Sequence, residues 1–200
     1  MTTLLLARHG QTDWNLERRW QGHADRPLNL LGREQAAALG ASLTAAGLGA
    51  IHTSDLLRAR QTAEIVAELL HLPVEIDARL REVDVGEWSG LTTPEIERLY
   101  PAGNDRRLAG GTGWDRGESY EALGARVVEA LMAISAARPD GKALVVTHGG
   151  PIRAAWLETG GSLAAWNGSG NCDVDEIRVE DGRMRWIHSS RGGLHEQVQG

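Results

Sequence analysis

The sequence predicts an α/β fold in which a mainly parallel sheet carries helices on both faces. Two observations lead there. Apolar runs of strand length alternate with segments of helical period along most of the 200 residues, the pattern of successive βα units. Two of those runs also end alike: Leu4-Leu5-Leu6-Ala7 passes into Arg8-His9-Gly10, and Ala143-Leu144-Val145-Val146-Thr147 into His148-Gly149-Gly150. Ligands of open α/β sheets bind beyond the carboxyl ends of the strands. The chain therefore delivers two imidazoles and a guanidinium to such an edge, and Gly10 reads as a tight backbone turn there.

The elements follow in order. Residues 3–7 read as the first strand, and 11–28 as polar, irregular chain with Trp14 and Trp20. Asn29 is placed to cap a helix over about 31–46 with Leu39 and Leu43 inward. Ala50-Ile51-His52-Thr53 is the second strand, and Ser54 is expected to cap a helix over about 55–71 carrying Leu57, Ile65, Val66, Leu69 and Leu70. A short third strand, Pro73 to Ile76, leads into a loop from Leu80 to Gly90 with Glu82, Asp84 and Glu87. Thr93-Pro94 starts a short helix with Pro94 in its first position, and Pro101 closes it. The Gly-rich stretch 102–117, with Arg106, Arg107 and Arg116, reads as a mobile loop or lid. Ser119 opens a helix to about 137 with Val127, Val128, Leu131 and Ile134 inward. The fourth strand is 143–147, Pro151-Ile152-Arg153 opens the next helix, and 160–172 is loop. Asp181-Gly182 is a type I′ turn signal inside a hairpin over 173–188, and the tail 189–200 is expected to fray. No linker divides the chain, so residues 1–200 read as one domain with a core over about 3–188.

Composition narrows the function. A formal net charge of −6 argues against a general nucleic-acid binder. Lys142 is the only lysine, so the basic residues are nearly all arginine, the side chain that forms forked hydrogen bonds to phosphate; biased codon usage explains the same count. Cys172 is alone, which excludes an intrachain disulfide and zinc-finger spacing. No secretory signal pattern and no run of 18 apolar residues occurs, so membrane partners are not expected and cytoplasm is the default location.

Each candidate residue has a functional and an ordinary reading. His9 alone reads as a hydrogen-bonded histidine at a strand end, but Arg8 beside it is a cation that needs a partner if buried. Arg58, in the first turn of its helix, opposes the helix dipole and points to the same sheet edge as His9; otherwise it is a surface arginine paired with Asp55 or Glu64. His148 precedes two glycines whose amides can form a nest for anionic oxygens. Glu82 alone reads as solvated loop charge. Together, two arginines, two histidines, a glutamate and a nest of amides form the set that phosphoryl transfer needs. Other chemistries fit less well. The chain has no Walker A sequence, no H-E-x-x-H and no G-x-S-x-G elbow. A metal site from His9, His23 and His148 would place Arg8 against the bound cation.

At these residues the chain resembles the histidine phosphatase superfamily, the phosphoglycerate-mutase-like proteins. The resemblance runs through Arg8-His9-Gly10-Gln11-Thr12-Asp13-Trp14-Asn15, Gln21-Gly22, Thr53-Ser54-Asp55-Leu56 with Arg58-Ala59, Leu80-Arg81-Glu82 with Gly86-Glu87-Trp88, Gly117-Glu118-Ser119 and Val146-Thr147-His148-Gly149. Gln11 stands where the family often has glutamate. The resemblance implies a three-layer α/β/α sandwich with one late antiparallel strand. It implies His9 as a nucleophile that becomes phosphorylated, and Arg8, Arg58 and His148 as ligands of the phosphoryl oxygens, helped by Asn15 and the Gly149 amide. It also implies Glu82 as proton donor and Gln21 as a pocket residue. No metal and no cofactor is implied, because arginines supply the positive charge. The implied partner is a small phosphomonoester that releases inorganic phosphate, and the chain is a monomer or a homodimer. The short stretch from Glu82 to His148, and Val83-Asp84-Val85-Gly86-Glu87-Trp88 within it, look closer to the broad-specificity or ribazole-phosphate phosphatases than to the cofactor-dependent phosphoglycerate mutases, which are the alternative. A non-catalytic phosphate-binding module is less favoured, since it predicts a damaged nucleophile or pocket.

Overall fold

β1 (Thr2–Arg8) runs in parallel beside β4 (Lys142–Thr147), with Leu5 opposite Leu144 and Arg8 opposite Thr147. This register brings the two strands to an end side by side, so the residues that follow, His9 and His148, emerge as neighbours. The computed structural model describes residues 1–189. β4 also pairs in parallel with β2 (Ala50–Thr53), and β2 with β3 (Val74–Ile76). On the other side, β5 (Val174–Glu180) pairs antiparallel to β1, and β6 (Arg183–Ser189) antiparallel to β5. The order is β3-β2-β4-β1-β5-β6. Among the described residues only β5 runs against the rest, the late antiparallel strand that was expected. Asp181 and Gly182 join β5 to β6 at φ of 49° and 73°, as a type I′ turn requires.

Strand alternation builds two cores. Leu4 and Leu6 face one side with Val145 and Ile177, while Leu5 and Ala7 face the other with Ile51, Leu144 and Val146. The first face is covered by α6 (Tyr120–Ala137) and α7 (Gly149–Glu158), through Val127, Leu131, Ile134 and Ile152. The second is covered by α2 (Leu30–Ser42) and α3 (Leu57–Leu70), through Leu39, Ala59, Ala63 and Val66. The result is the three-layer sandwich. Burying one Leu or Ile in such a core stabilises it by about 1.5–3 kcal/mol.

The structure departs from expectation where tertiary contacts override local pattern. Asn29 does cap α2, accepting from the Gly32 amide, but the helix stops at Ser42 rather than near 46. There the Ser42 and Thr44 hydroxyls donate back to the Leu39 and Ala41 carbonyls, competing with the helical ladder. Ser54 is not a helix cap: Leu56 holds that position without a side-chain bond, and the Ser54 hydroxyl turns inward. The irregular 11–28 segment contains a short helix, α1 (Asp13–Leu16), closed by a capping box between Thr12 and Asn15. In α4 (Thr93–Leu99) the cap is Thr92, reciprocated by Glu95, so Pro94 is second rather than first. Pro101 does not merely end α4. It opens α5 (Pro101–Leu108), which occupies half of the stretch read as a mobile loop. Gly103 makes that helix possible by lying so close to the Gly113 carbonyl that a Cβ would sit 2.4 Å from its oxygen. Gly10, too, is explained by close approach rather than by a turn: its Cβ would meet the Gly32 oxygen at 2.3 Å. Leu69 is exposed and Val128 half-buried, although both were expected inward. The expected fraying concerns residues after Ser189, outside the described residues.

The Asn29 cap gives a direct check on the local reading. Asn29→Ala should lower the urea-unfolding free energy by about 1 kcal/mol, the usual value of an N-cap, while the same change at Ser54 should not weaken α3 through its cap.

Candidate active site

The carboxyl ends of β1 and β4 form the floor of a cavity of about 320 Å³. Arg8, His9, Asn15, Gln21, Arg58, Glu82 and Gly149 all line it. His148 is not in the wall; its ring is fully buried 5.2 Å from the His9 ring, centroid to centroid, and tilted by 58°.

His9 is 2% exposed, and both ring nitrogens are engaged. Nδ1 stands 2.7 Å from the Gly10 carbonyl oxygen, which only accepts, so Nδ1 carries the proton. Nε2 is left with its lone pair, which accepts from Arg58 Nε at 3.3 Å. The backbone around the ring is fixed on all sides. His9 N donates to the Thr147 carbonyl, Asn171 Nδ2 donates to the His9 carbonyl, and Gly10 N donates to Thr62 Oγ1.

Arg58 is fully buried, which disposes of the surface reading. Asp55 is taken by Arg81, and Glu64 by Arg60. The Arg58 Nη atoms donate to the Ala24 and Gly22 carbonyls at 2.8 and 2.9 Å. Burial lowers its pKa to about 10, with Glu82 opposing and Arg8 assisting, so it remains a cation at neutral pH. Arg8 donates from Nη1 to the Ser169 carbonyl at 2.6 Å, and its buried Nε has no partner among the described residues. His148 Nε2 lies 2.9 Å from Ser54 Oγ, while His148 Nδ1 and Gln21 Oε1 are likewise buried and unpartnered. Asn15 Oδ1 is occupied by Thr12 and Asn171, which leaves its amide N–H groups as the end able to meet a ligand.

Glu82 sits at the cavity edge with Oε1 accepting from the Val83 and Gly150 amides at 2.8 and 3.1 Å. The carboxylate lies close over α7: a Cβ on Gly150 would stand 2.1 Å from Oε1 and push the Glu82 side chain aside. The main chain under Glu82 is held by residues that sequence reasoning did not nominate. Arg126, on α6, donates to the carbonyls of Arg79, Arg81 and Glu82 at 2.7–2.9 Å and grips Glu118 with two bonds of 2.6 Å. His23 Nε2 donates to the same Glu82 carbonyl at 2.8 Å, so its ring is committed there and not to His9 and His148. Thr147 Oγ1 ties the Leu80 carbonyl to β4 at 2.7 Å. Arg81 turns away from the cavity to Asp55, as expected. Among the described residues no group of three His, Cys, Asp or Glu side chains is arranged to hold a metal ion. Arg153 also lines the cavity; it follows Gly149 by four residues on one face of α7, a spacing visible in the sequence.

The family model for the histidine phosphatase superfamily (branch 1) matches residues 4–190. The chain is 37% identical over 161 residues to the uncharacterized phosphatase PhoE of Bacillus subtilis, covering 80% of this chain and 79% of that one. It is 35% identical over 198 residues to the probable phosphoglycerate mutase GpmB of Salmonella arizonae, covering 94% and 89%. Among solved structures, a mycobacterial glucosyl-3-phosphoglycerate phosphatase in complex with VO3 superposes with a TM-score of 0.82 at 33% identity, covering 94% of this chain and 97% of that one.

Burial holds both histidines neutral. It is the main cause that pushes each pKa well below the usual imidazole value; Arg58 and Arg8 add to it at His9 against the Gly10 carbonyl, and Arg58, His9, Arg8 and Arg126 add to it at His148. In the unfolded chain both would titrate near the ordinary value of about 6.5. As pH falls below that value the unfolded state gains two protons that the native state refuses, so stability present above it is lost below it. Each histidine should contribute a slope of about 1.4 kcal/mol per pH unit. Urea unfolding between pH 7.5 and 5 should therefore show His9→Gln losing about one such contribution relative to the parent. Parallel slopes for the two proteins would mean that His9 is not held neutral.

Proposed function

Since the chain belongs to the histidine phosphatase superfamily (branch 1), whose phosphatases hydrolyse phosphomonoesters through a phosphohistidine, we propose that it is a metal-independent phosphatase of small phosphomonoesters with His9 as the nucleophile. One observation carries the reading: the proton of His9 is held on Nδ1 by the Gly10 carbonyl, so Nε2 keeps a lone pair, met by Arg58 Nε, on a residue that lines the cavity together with two guanidiniums.

In this reading the phosphoryl group takes the Arg58 Nε donor away from Nε2 and frees the lone pair for in-line attack. Arg8, Arg58, the amide of Asn15, the Gly149 N–H and His148 hold the equatorial oxygens, where negative charge is carried through the transition state. Ser54 Oγ accepts from the Leu56 amide and directs its own proton at His148 Nε2; His148 Nδ1 then carries a proton and serves as a neutral donor. Glu82 protonates the departing alkoxide, then takes a proton from the water that attacks phospho-His9, and phosphate leaves. Gln21 lines the cavity as a substrate contact. The arginines supply the charge that a divalent ion supplies elsewhere.

The second reading is a phosphoglycerate mutase, favoured by the likeness to GpmB over nearly the whole chain. Incubation with 3-phosphoglycerate and a trace of 2,3-bisphosphoglycerate separates the two, because a mutase isomerises faster than it releases phosphate. A non-catalytic module has less support, since His9, Arg8 and Arg58 all line one cavity.

Acid-labile, alkali-stable phosphoryl label should be trapped on the protein during turnover in EDTA and should be missing from His9→Ala. Loss of turnover on chelation, rescued by one divalent ion, would replace the metal-independent reading. Glu82→Gln should slow single-turnover phosphorylation by alkyl phosphates about 10²–10⁴-fold more than by p-nitrophenyl phosphate, whose leaving group needs no proton. Equal losses would leave Glu82 a positioning residue.

A further inference from the structure

A second cavity, of about 290 Å³, adjoins the first and shares Trp20, Tyr120 and Arg153 with it. Arg107, Leu157 and Leu163 complete its principal walls, and among the described residues no carboxylate lines it. The shared wall is packed from interlocking aromatic rings. Trp20 meets Trp88 and Trp114 at 5.6 and 6.3 Å between centroids, and Trp114 meets Tyr120 at 5.6 Å, all edge to face. Two guanidiniums rest on that wall. Arg153 lies 4.2 Å from the Tyr120 ring, and Arg107 lies 5.9 Å from the Trp20 ring while donating to Asn104 Oδ1 at 2.8 Å. Stacking orients a guanidinium without neutralising its charge; Arg107 spends Nε and one Nη on Asn104 Oδ1 and keeps its other donors.

Neither Arg107 nor Arg153 forms an ion pair among the described residues, although neighbours do: Arg106 with Asp115, Arg126 with Glu118 and Arg19 with Glu95. A phosphoryl dianion at His9 matches Arg8 and Arg58. It leaves Arg107 and Arg153 unmatched, on one wall of a chain whose formal net charge is −6. Resting on the phosphatase reading for which half of the substrate lies where, we propose that this second chamber binds a distal anionic group on the alcohol half of the substrate. Arg153 and Arg107 grip that anion, and the Trp20–Tyr120 wall carries the carbon skeleton between the two charges. The substrate class is then a phosphomonoester whose alcohol bears a carboxylate or a second phosphate several atoms from the ester oxygen. Simple alkyl phosphates are poor ligands. α5, within the stretch that the sequence presented as a mobile loop or lid, supplies a wall of this chamber through Arg107.

Non-hydrolysable ligands test the chamber apart from the reaction. The full chain is titrated calorimetrically with ω-carboxyalkylphosphonates of increasing chain length and with the matching alkylphosphonates. At one length or more the carboxylate should tighten binding by about tenfold or more. Arg153→Gln and Arg107→Gln should each reduce that advantage towards parity, and Arg153→Lys should retain part of it. The advantage is a ratio within one protein, so a general loss of stability does not mimic its disappearance. The proposal is overturned by equal affinities at every length, by alkylphosphonates binding tighter, by a carboxylate advantage that survives both glutamine variants, or by no phosphonate binding at all. Hydrolysis of p-nitrophenyl phosphate is followed in parallel. Its absence would remove the phosphatase reading, while a carboxylate preference in the titrations would still support the chamber.

Discussion

The Gly10 carbonyl stands 2.7 Å from His9 Nδ1, and because a carbonyl has no proton to give, that contact decides where the imidazole keeps its own. The surrounding structure converges on holding the carbonyl still. Gly10 N is anchored by Thr62, whose hydroxyl also donates to the Arg58 carbonyl, so one side chain of α3 ties the neighbour of His9 to the main chain that carries Arg58. The absence of a Cβ on Gly10 lets the chain lie against Gly32 in α2. Arg58 then clamps the Gly22 and Ala24 carbonyls, so the loop after α1 is drawn into the same arrangement. Tautomer, cation and loop form one hydrogen-bonded unit rather than three independent features.

Much of this was legible in the chain. The hydrophobic runs ending at His9 and His148 located both strands and the edge where they meet. The parallel pairing of Arg8 with Thr147 is what turns two separate motifs into adjacent rings. The Asn29 cap and the Asp181-Gly182 turn were readable because each is encoded in a few consecutive residues. The unreadable parts depend on partners distant in sequence. Nothing local distinguishes Arg126 from a surface arginine on α6, since its function lies in carbonyls 44–47 residues away, and carbonyls leave no mark on sequence. Ser54 follows a strand as a cap should, yet the buried His148 ring competes for its hydroxyl and wins. The glycines of 102–117 suggested freedom, but Gly103 and Gly113 are small so that α5 and the Trp88 ring can close against them.

The preference for arginine also acquires a geometric meaning. Arg126 satisfies three carbonyls and one carboxylate at once from a single planar group, and Arg58 reaches two carbonyls and an imidazole. An ammonium offers three donors around a point and cannot span such sets. Whatever codon bias contributes to the composition, these positions use the full fork. The two arginines on the aromatic wall exploit another property of the group, its flat apolar faces.

The one lysine sits elsewhere. Lys142 opens β4 at the amino end of the sheet, whereas the cavity lies beyond the carboxyl end of the same strand, after Thr147. Strand rise alone separates them by roughly 20 Å. The only side-chain amine is therefore on the face opposite the cavity mouth. Attached to a sensor surface through that amine, molecules would all stand in one orientation, with the binding edge turned outward to solution and untouched by the coupling chemistry.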